Sequence, residues 1–238
     1  MDYLKARVEQ IRSSISNDRE ELVQANRKKI VDAATSLFKK RGFHRTVTRD
    51  IAQAIGVSQG HIYQYISRKE DILILMLDAA VDDYKKKLFV IADMDADAVT
   101  KLTAAIDVYY RILDEHHDKT TVLYNQLSHL EIGDRKIFDN VEVEVTELFK
   151  QILDEGVASG LFGDIDTFVV AYNIVSLGHM WALKRNRFKG YMRIDEYIDV
   201  QCSYVLKVVQ GTMSAASLNS VSKAVRSRGS TVADSPRK

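Results

Sequence analysis

The sequence predicts an all-α fold, and three observations predict it. Proline, which breaks helices, occurs once in 238 residues, as Pro236 beside the C-terminus. Apolar residues recur at spacings of three and four through most of the chain. Two short amphipathic stretches are joined by Gly56-Val57-Ser58 alone, the spacing of a helix-turn-helix unit. The length allows one large domain or two small ones at roughly 100–200 residues each. A composition of 46% hydrophobic and 28% charged residues is ordinary for a globular chain. No apolar run reaches the roughly 18 residues a membrane span needs. The single cysteine, Cys202, leaves no intramolecular disulfide and no multi-Cys zinc cluster, which fits a reducing compartment. The N-terminal MDYLKARVEQ carries charges where a signal peptide needs an apolar stretch, so a cytoplasmic location is expected.

Residues 1–23 read as an N-terminal helical extension with Leu4, Val8, Ile11 and Ile15 in one thin stripe, an appended helix or a mobile arm. A first domain is expected over 24–85. Asn26 is placed to cap its first helix, whose inner face is Ile30, Ala33, Ala34, Leu37 and Phe38. Gly42 fits the left-handed residue that ends it, and Phe43 closes the turn. Thr48 is placed to cap TRDIAQAI, with Ile51, Ala52 and Ile55 inward and Asp50 favourable to the helix dipole. Gly56 permits a positive φ in the turn, and Ser58 caps QGHIYQYI, so the helix-turn-helix spans 48–67. A long helix is expected from Lys69 to about Ile91, its apolar face narrowing to Val81, Tyr84 and Leu88. A second domain over 86–212 would hold helices near 99–117, 120–132, 137–159, 166–188 and 194–212. Residues 213–238, rich in Ser, Ala and Arg, read as a disordered basic tail.

Charge is uneven. Residues 24–70 hold ten Lys or Arg against three acids, a net +7, while 71–211 hold 15 basic and 24 acidic residues, a net −9. A basic block on an acidic body suggests a segment built for a polyanion, against the alternative of a merely solvated charged face.

Residues 27–77, RKKIVDAATSLFKKRGFHRTVTRDIAQAIGVSQGHIYQYISRKEDILILML, resemble the TetR family of bacterial transcriptional regulators. The likeness lies in LFKKRGF, in TRDIAQAIGVSQG and in IYQYISRKE. Ile66 departs from it, standing where the family usually has Phe. The resemblance implies an N-terminal three-helix DNA-binding domain and a C-terminal helical ligand-binding and dimerisation domain. It implies that the helix Gln59–Ile66 enters the major groove of a double-stranded operator. Gln59 and His61 would then meet base edges, with Gly60 letting the backbone approach and Ser58 at the helix start. Tyr63, Tyr65, Thr48 and Lys69 would reach phosphates, and Arg49 a base or a phosphate. One of the two tyrosines would alternatively pack on the first helix.

The resemblance also implies a homodimer through the last two helices, about 166–188 and 194–212. The first is apolar on most of its circumference, which asks for cover from a second copy, against the alternative of burial entirely within one subunit. A small-molecule effector would shift the dimer away from DNA by linkage. HMWALKRNRFKGYMRIDEYIDVQ is similar to the acyl-CoA-sensing branch of the family, so an acyl-CoA or another lipophilic effector is expected. Candidate pocket residues are Tyr109, Arg111, Tyr124, Phe138, Tyr172, His179 and Trp181, with Arg111, Arg135, Lys184 and Arg185 as candidates for its phosphates.

Enzymatic activity, a cofactor and a metal are not expected. The glycines at 156, 160 and 163 follow a helix and not a strand, so they form no dinucleotide loop. His116, His117 and Asp118 are adjacent on a helix and face different ways. His129 and His179 read as polar core or pocket residues, and Cys202 as inert. Two alternatives stand beside this reading: a DNA-binding regulator governed by a protein partner, and a helical adaptor without DNA binding. The set Gln59, His61, Tyr63 and Lys69 argues against the second.

Overall fold

The computed structural model describes residues 2–12 and 20–211. Among these, ten α-helices follow in order: α1 Asp2–Arg12, α2 Glu20–Arg41, α3 Thr48–Ala54, α4 Gln59–Ile62, α5 Asp71–Asp83, α6 Ala98–Glu115, α7 His117–Gln126, α8 Ile132–Ala158, α9 Thr167–Phe188 and α10 Ile194–Gln210. No strand occurs among the described residues. The expected tail over 213–238 and Ile15 of the first stripe lie outside them.

Helices α2 to α4 form the head. Ile30, Ala34 and Phe38 of α2 meet Ile51 and Ala52 of α3 and Ile62 of α4 in a continuous buried core. Gly42 ends α2 at φ +84° and Gly56 makes the α3–α4 turn at φ +74°, both in the left-handed region a side chain disfavours. Two expected caps differ. Val47 precedes α3, and Asp50 reaches back to accept the Val47 amide at 3.1 Å; Thr48 is the first helical residue and is buried. Asn26 lies inside α2, which starts earlier at Glu20, and its amide donates to the Tyr65 hydroxyl at 2.8 Å. An interior Asn is tolerated there because its side chain has a tertiary partner.

The long helix expected from Lys69 is broken in kind. It begins at Asp71, and Tyr84–Leu88 form a π-turn followed by a 3₁₀ turn over Phe89–Ile91. The wider turn buries Tyr84 and Leu88 while Lys86 and Lys87 stay outside.

In the body, α6 is sheathed by α8, α9 and α10, and Tyr109, Tyr110 and Phe149 are fully enclosed. Caps set the starts of these helices. Asp97 accepts the Thr100 amide at 2.8 Å and Asp166 the Val169 amide at 3.0 Å. Lys39 pairs with Asp118 at 2.5 Å, bridging head and body between α2 and α7.

Helix α1 is not a free arm. Leu4, Val8 and Ile11 are buried, and the helix lies against α5. Three apolar residues suffice because a charged residue of the same helix, Arg7, is also anchored.

Candidate nucleic-acid interface and ligand cavity

The Ser58 hydroxyl accepts the His61 amide at 3.2 Å and starts α4. Ile62, Tyr65 and Ile66 face inward and pin the segment to the head. What remains outward is Arg49, Gln59, Gly60 and Tyr63, with His61 partly covered by Tyr65 at a ring distance of 5.1 Å. The Gln59 amide donates to the Thr48 hydroxyl at 2.9 Å, and Thr48 lies 3.1 Å from the Tyr63 hydroxyl. These bonds hold a polar row across α3 and α4 in one register. A methyl at Gly60 would meet only Ser58 Oγ at 3.9 Å. Nothing inside the head therefore demands that glycine, and its backbone is open to close approach from outside.

Two expected phosphate contacts are placed differently. Tyr65 is buried, and its hydroxyl accepts the Asn26 amide. Lys69 donates to the carbonyls of Phe43 at 2.8 Å and Thr46 at 3.0 Å, and its ammonium lies 4.1 Å from the Phe43 ring centroid. Burial lowers its pKa. Lys69 thus pins the α2–α3 turn, with one N–H left over for an anion.

A cavity of about 80 Å³ lies within the body, walled by Leu77 and Tyr84 from the α5 arm, Tyr109 of α6, Leu123 and Tyr124 of α7, Phe138, Glu142 and Val145 of α8, and His179 of α9. Four expected pocket residues, Tyr109, Tyr124, Phe138 and His179, come together here. The other three do not. Arg111 is on the surface, paired with Asp107 and Asp195. Tyr172 is half-exposed and stacked on Phe168. Trp181 is buried on the other side of α9, against Phe188 and Tyr197. Sequence reasoning missed Tyr84 and Glu142. The spacing Phe138–Glu142–Val145–Phe149, an acid on an apolar helical face, is the signal that marks Glu142.

The cavity wall carries a hydrogen-bond chain. The Tyr124 hydroxyl lies 3.4 Å from a Glu142 carboxylate oxygen and 2.6 Å from His179 Nδ1, and the Tyr109 hydroxyl lies 3.0 Å from His179 Nε2. Both ring nitrogens of His179 are therefore bonded, and its tautomer sets which one donates. Burial drives the His179 pKa down to about 4. An unfolded chain takes up this proton near 6.5 and the folded one only near 4. The unfolded state therefore binds more protons in between, and stability is full above about pH 6.5 and falls towards pH 4, by at most about 3 kcal/mol from this group. Urea titrations at pH 7 and pH 4.5 are expected to show His179→Gln losing less stability on acidification than the unaltered chain. Identical losses would remove His179 from the account.

A separate cleft of about 430 Å³ opens beside the α9–α10 connection, lined by Asp114, Trp181, Arg185, Asn186, Lys189 and Arg193. Asp114 fixes its floor, accepting from Trp181 Nε1 and Arg185 Nε, each at 2.9 Å. Of the four cations expected to meet phosphates, only Arg185 lines it. Elsewhere His116, Asp83 and Glu115 converge, but the Lys87 ammonium lies among them, 2.9 Å from Asp83 and 3.5 Å from Glu115. His117 turns away to Asp118 and the Asp114 carbonyl. Burial raises the Cys202 thiol to about 11, which suits an inert cysteine. The side chain of His129 lies outside the described residues.

A helix-turn-helix head with a polar outward row, carried on a helical body that encloses a cavity, defines a DNA-binding regulator. The comparisons agree. Residues 30–76 match the model described as "Bacterial regulatory proteins, tetR family", and residues 95–209 match "Tetracyclin repressor-like, C-terminal domain". The chain is 27% identical over 219 residues to the HTH-type transcriptional regulator HbdR of Aromatoleum sp. (strain CIB), covering 92% of this chain and 93% of HbdR. It is 30% identical over 142 residues to the HTH-type transcriptional repressor KstR2 of Rhodococcus jostii (strain RHA1), covering 59% of this chain and 70% of KstR2. The fold superposes on AibR, solved with isovaleryl coenzyme A and operator DNA, with a TM-score of 0.63 at 18% identity, covering 77% of this chain and 97% of AibR. The chain belongs to the TetR family of DNA-binding transcriptional regulators. No catalytic family is indicated, and no helix among the described residues is long and apolar enough to cross a membrane.

Proposed function

We propose that this chain is a homodimeric repressor that reads its operator through two copies of α4 and is released by an acyl-CoA or similar lipophilic effector. The observation that carries the reading is the outward row of Arg49, Gln59, Gly60 and Tyr63, presented while Ile62, Tyr65 and Ile66 are buried. Such a row offers Gln59 and Arg49 to base edges and the Tyr63 hydroxyl to a phosphate. Ser58, Thr48 and Tyr65 act from behind it, as cap, bridge and anchor.

Dimerisation is supported by an unpartnered apolar face. Val169, Tyr172 and Met180 of α9 and Val200, Tyr204 and Val208 of α10 are all exposed, at helical spacings along each helix. A two-fold pairing of these helices would present two recognition helices to half-sites about 34–36 Å apart or a multiple of that.

The cavity supports the effector. At about 80 Å³ it holds a short apolar group at most, so a larger one must spread the helices that wall it. That is the differential interaction a population shift requires. No Lys or Arg lines the cavity and Glu142 does, so phosphates are excluded from it. The separate cleft with Arg185, Lys189 and Arg193 has the cations that suit them. KstR2 is named a repressor and AibR is solved with a coenzyme A thioester, which points the same way.

Selection of duplexes from a randomised pool by the purified chain tests the reading. One palindromic motif is expected, with Gln59→Ala costing roughly 1–3 kcal/mol on it and relaxing one position of each half-site. Isovaleryl coenzyme A, titrated into the complex, is expected to release it. A chain that selects no motif refutes the DNA reading, and a complex untouched by saturating thioester refutes the effector.

A further inference from the structure

Four charged side chains from three parts of the sequence, Arg7, the neighbours Arg68 and Asp71, and Asp134, meet where head joins body. Arg7 of α1 donates through Nε to Asp134 at 3.0 Å and through Nη2 to Asp71 at 2.5 Å. Arg68, in the turn after α4, donates to the other oxygen of Asp134 and pairs with Glu131 at 2.6 Å. Asp71, at the first turn of α5, accepts the backbone amides of Ser67 at 2.8 Å and Arg68 at 3.0 Å with its second oxygen. Asp134 lies in the first turn of α8, one turn before the cavity residue Phe138. Asp71 is 1% exposed, the Asp134 side chain 6% and the Arg7 side chain 18%.

Two guanidinium groups thus alternate with two carboxylates. One carboxylate shapes the backbone leaving the recognition helix, and the other belongs to a wall of the cavity. A half-buried ion cluster adds little net stability, because desolvation offsets attraction, but its bonds are directional and fix relative orientation. Removing Arg7 leaves two carboxylates, and Glu131 beside them, with Arg68 alone. Leu4, Val8 and Ile11 of α1 are buried as well, and the helix packs on α5.

We propose that Arg7 is a positioning residue for DNA binding: α1 is a strap that ties the start of α5 to the start of α8 and so sets the angle at which the head is carried. This rests on the DNA-binding reading above. It deepens it by placing the control of head orientation on a helix outside the helix-turn-helix.

The test uses the full-length chain and the duplex that the unaltered chain selects, with affinity read by fluorescence anisotropy at several salt concentrations. Arg7→Met keeps the apolar length of the side chain and removes its charge. It is expected to weaken binding to the selected duplex about tenfold, to leave binding to a random duplex within twofold, and to leave the salt slope unchanged. Asp134→Asn is expected to act likewise, the double variant to be no worse than about the weaker single, and Arg7→Lys to recover part of the loss. If Arg7→Met does not fold, Asp134→Asn loosens the same joint from α8 and carries the same expectation. Binding of the selected duplex within twofold of the unaltered chain overturns the proposal. So does a shallower salt slope, which would make Arg7 a phosphate contact, or strict additivity in the double variant. Failure of the unaltered chain to select any duplex is a separate result and falls on the DNA-binding reading.

Discussion

Glutamate placed together at Val200 and Tyr204 of α10 is expected to give a folded monomer whose affinity for the selected operator is at least about 100-fold lower. Both residues are more than half exposed in the single chain, at 53% and 55%, so the subunit itself loses little. They lie one helical turn apart on the same side of α10, in line with Val208. In a two-fold pairing the new carboxylates of both copies would enter one seam, bringing four like charges together out of water. Loss of the dimer turns a two-headed binder into a one-headed one. The second half-site then gives up its effective-concentration gain, about 10²- to 10⁴-fold. Sedimentation equilibrium reads the mass, circular dichroism the fold and anisotropy the affinity. A double variant that remains a dimer would place the interface elsewhere, and a monomer with undiminished affinity would remove the need for two heads.

Gly156→Ala is expected to cost about 3–5 kcal/mol, since no other described glycine would bring a Cβ so near a neighbour. A Cβ at Gly156 would lie 2.0 Å from Cδ2 and 2.2 Å from Cε2 of Phe162, so the ring occupies the space a side chain would take. Phe162 is 4% exposed, and its amide donates to the Gly156 carbonyl at 3.0 Å, folding the α8–α9 connection back on the helix end. The methyl must evict the ring. That forfeits about 1.5–3 kcal/mol of burial and adds about 1–3 kcal/mol of strain. The next amide, of Gly163, donates to the Val209 carbonyl at 2.8 Å, so the disturbance reaches the end of α10. Urea unfolding measures the loss. Phe162→Ala alone is expected to be destabilising, and adding it to Gly156→Ala to cost far less than the sum, since the clash is gone. A loss under about 1 kcal/mol for Gly156→Ala would mean that the ring has another place to go.

Tyr63 and Tyr65 show how far sequence carries at the DNA face. Ile62, Tyr65 and Ile66 fall at i, i+3 and i+4, which puts Tyr65 inward and Tyr63 outward by helical period alone. The bond from Asn26 to Tyr65 spans 39 residues and has no such local signature. Lys69 is similar. A lysine opening a helix reads as a free cation until the turn Phe43–Thr46 folds back and offers it two carbonyls. In the body, period identifies an inward aromatic but not the neighbour it faces. Tyr109 and Trp181 both point inward, one to the cavity and one to Phe188 and Tyr197, and Tyr172 is left outside on Phe168. Tyr84 reaches the cavity through a π-turn that a steady 3.6-residue period does not foresee.

The chain by itself determined the all-helical class, the helix-turn-helix with its glycine turn, and the outward Gln59 and Arg49, because these follow from local period, caps and backbone freedom over a few residues. Only the tertiary structure decided which aromatics enclose the cavity, that Lys69 is a pin, and that Arg7 joins Asp71 and Asp134, which stand 64 and 127 residues away in sequence. A charged side chain carries no local record of its distant partner. Which carboxylate it meets is settled when helices pack, by the few arrangements that leave no buried charge alone.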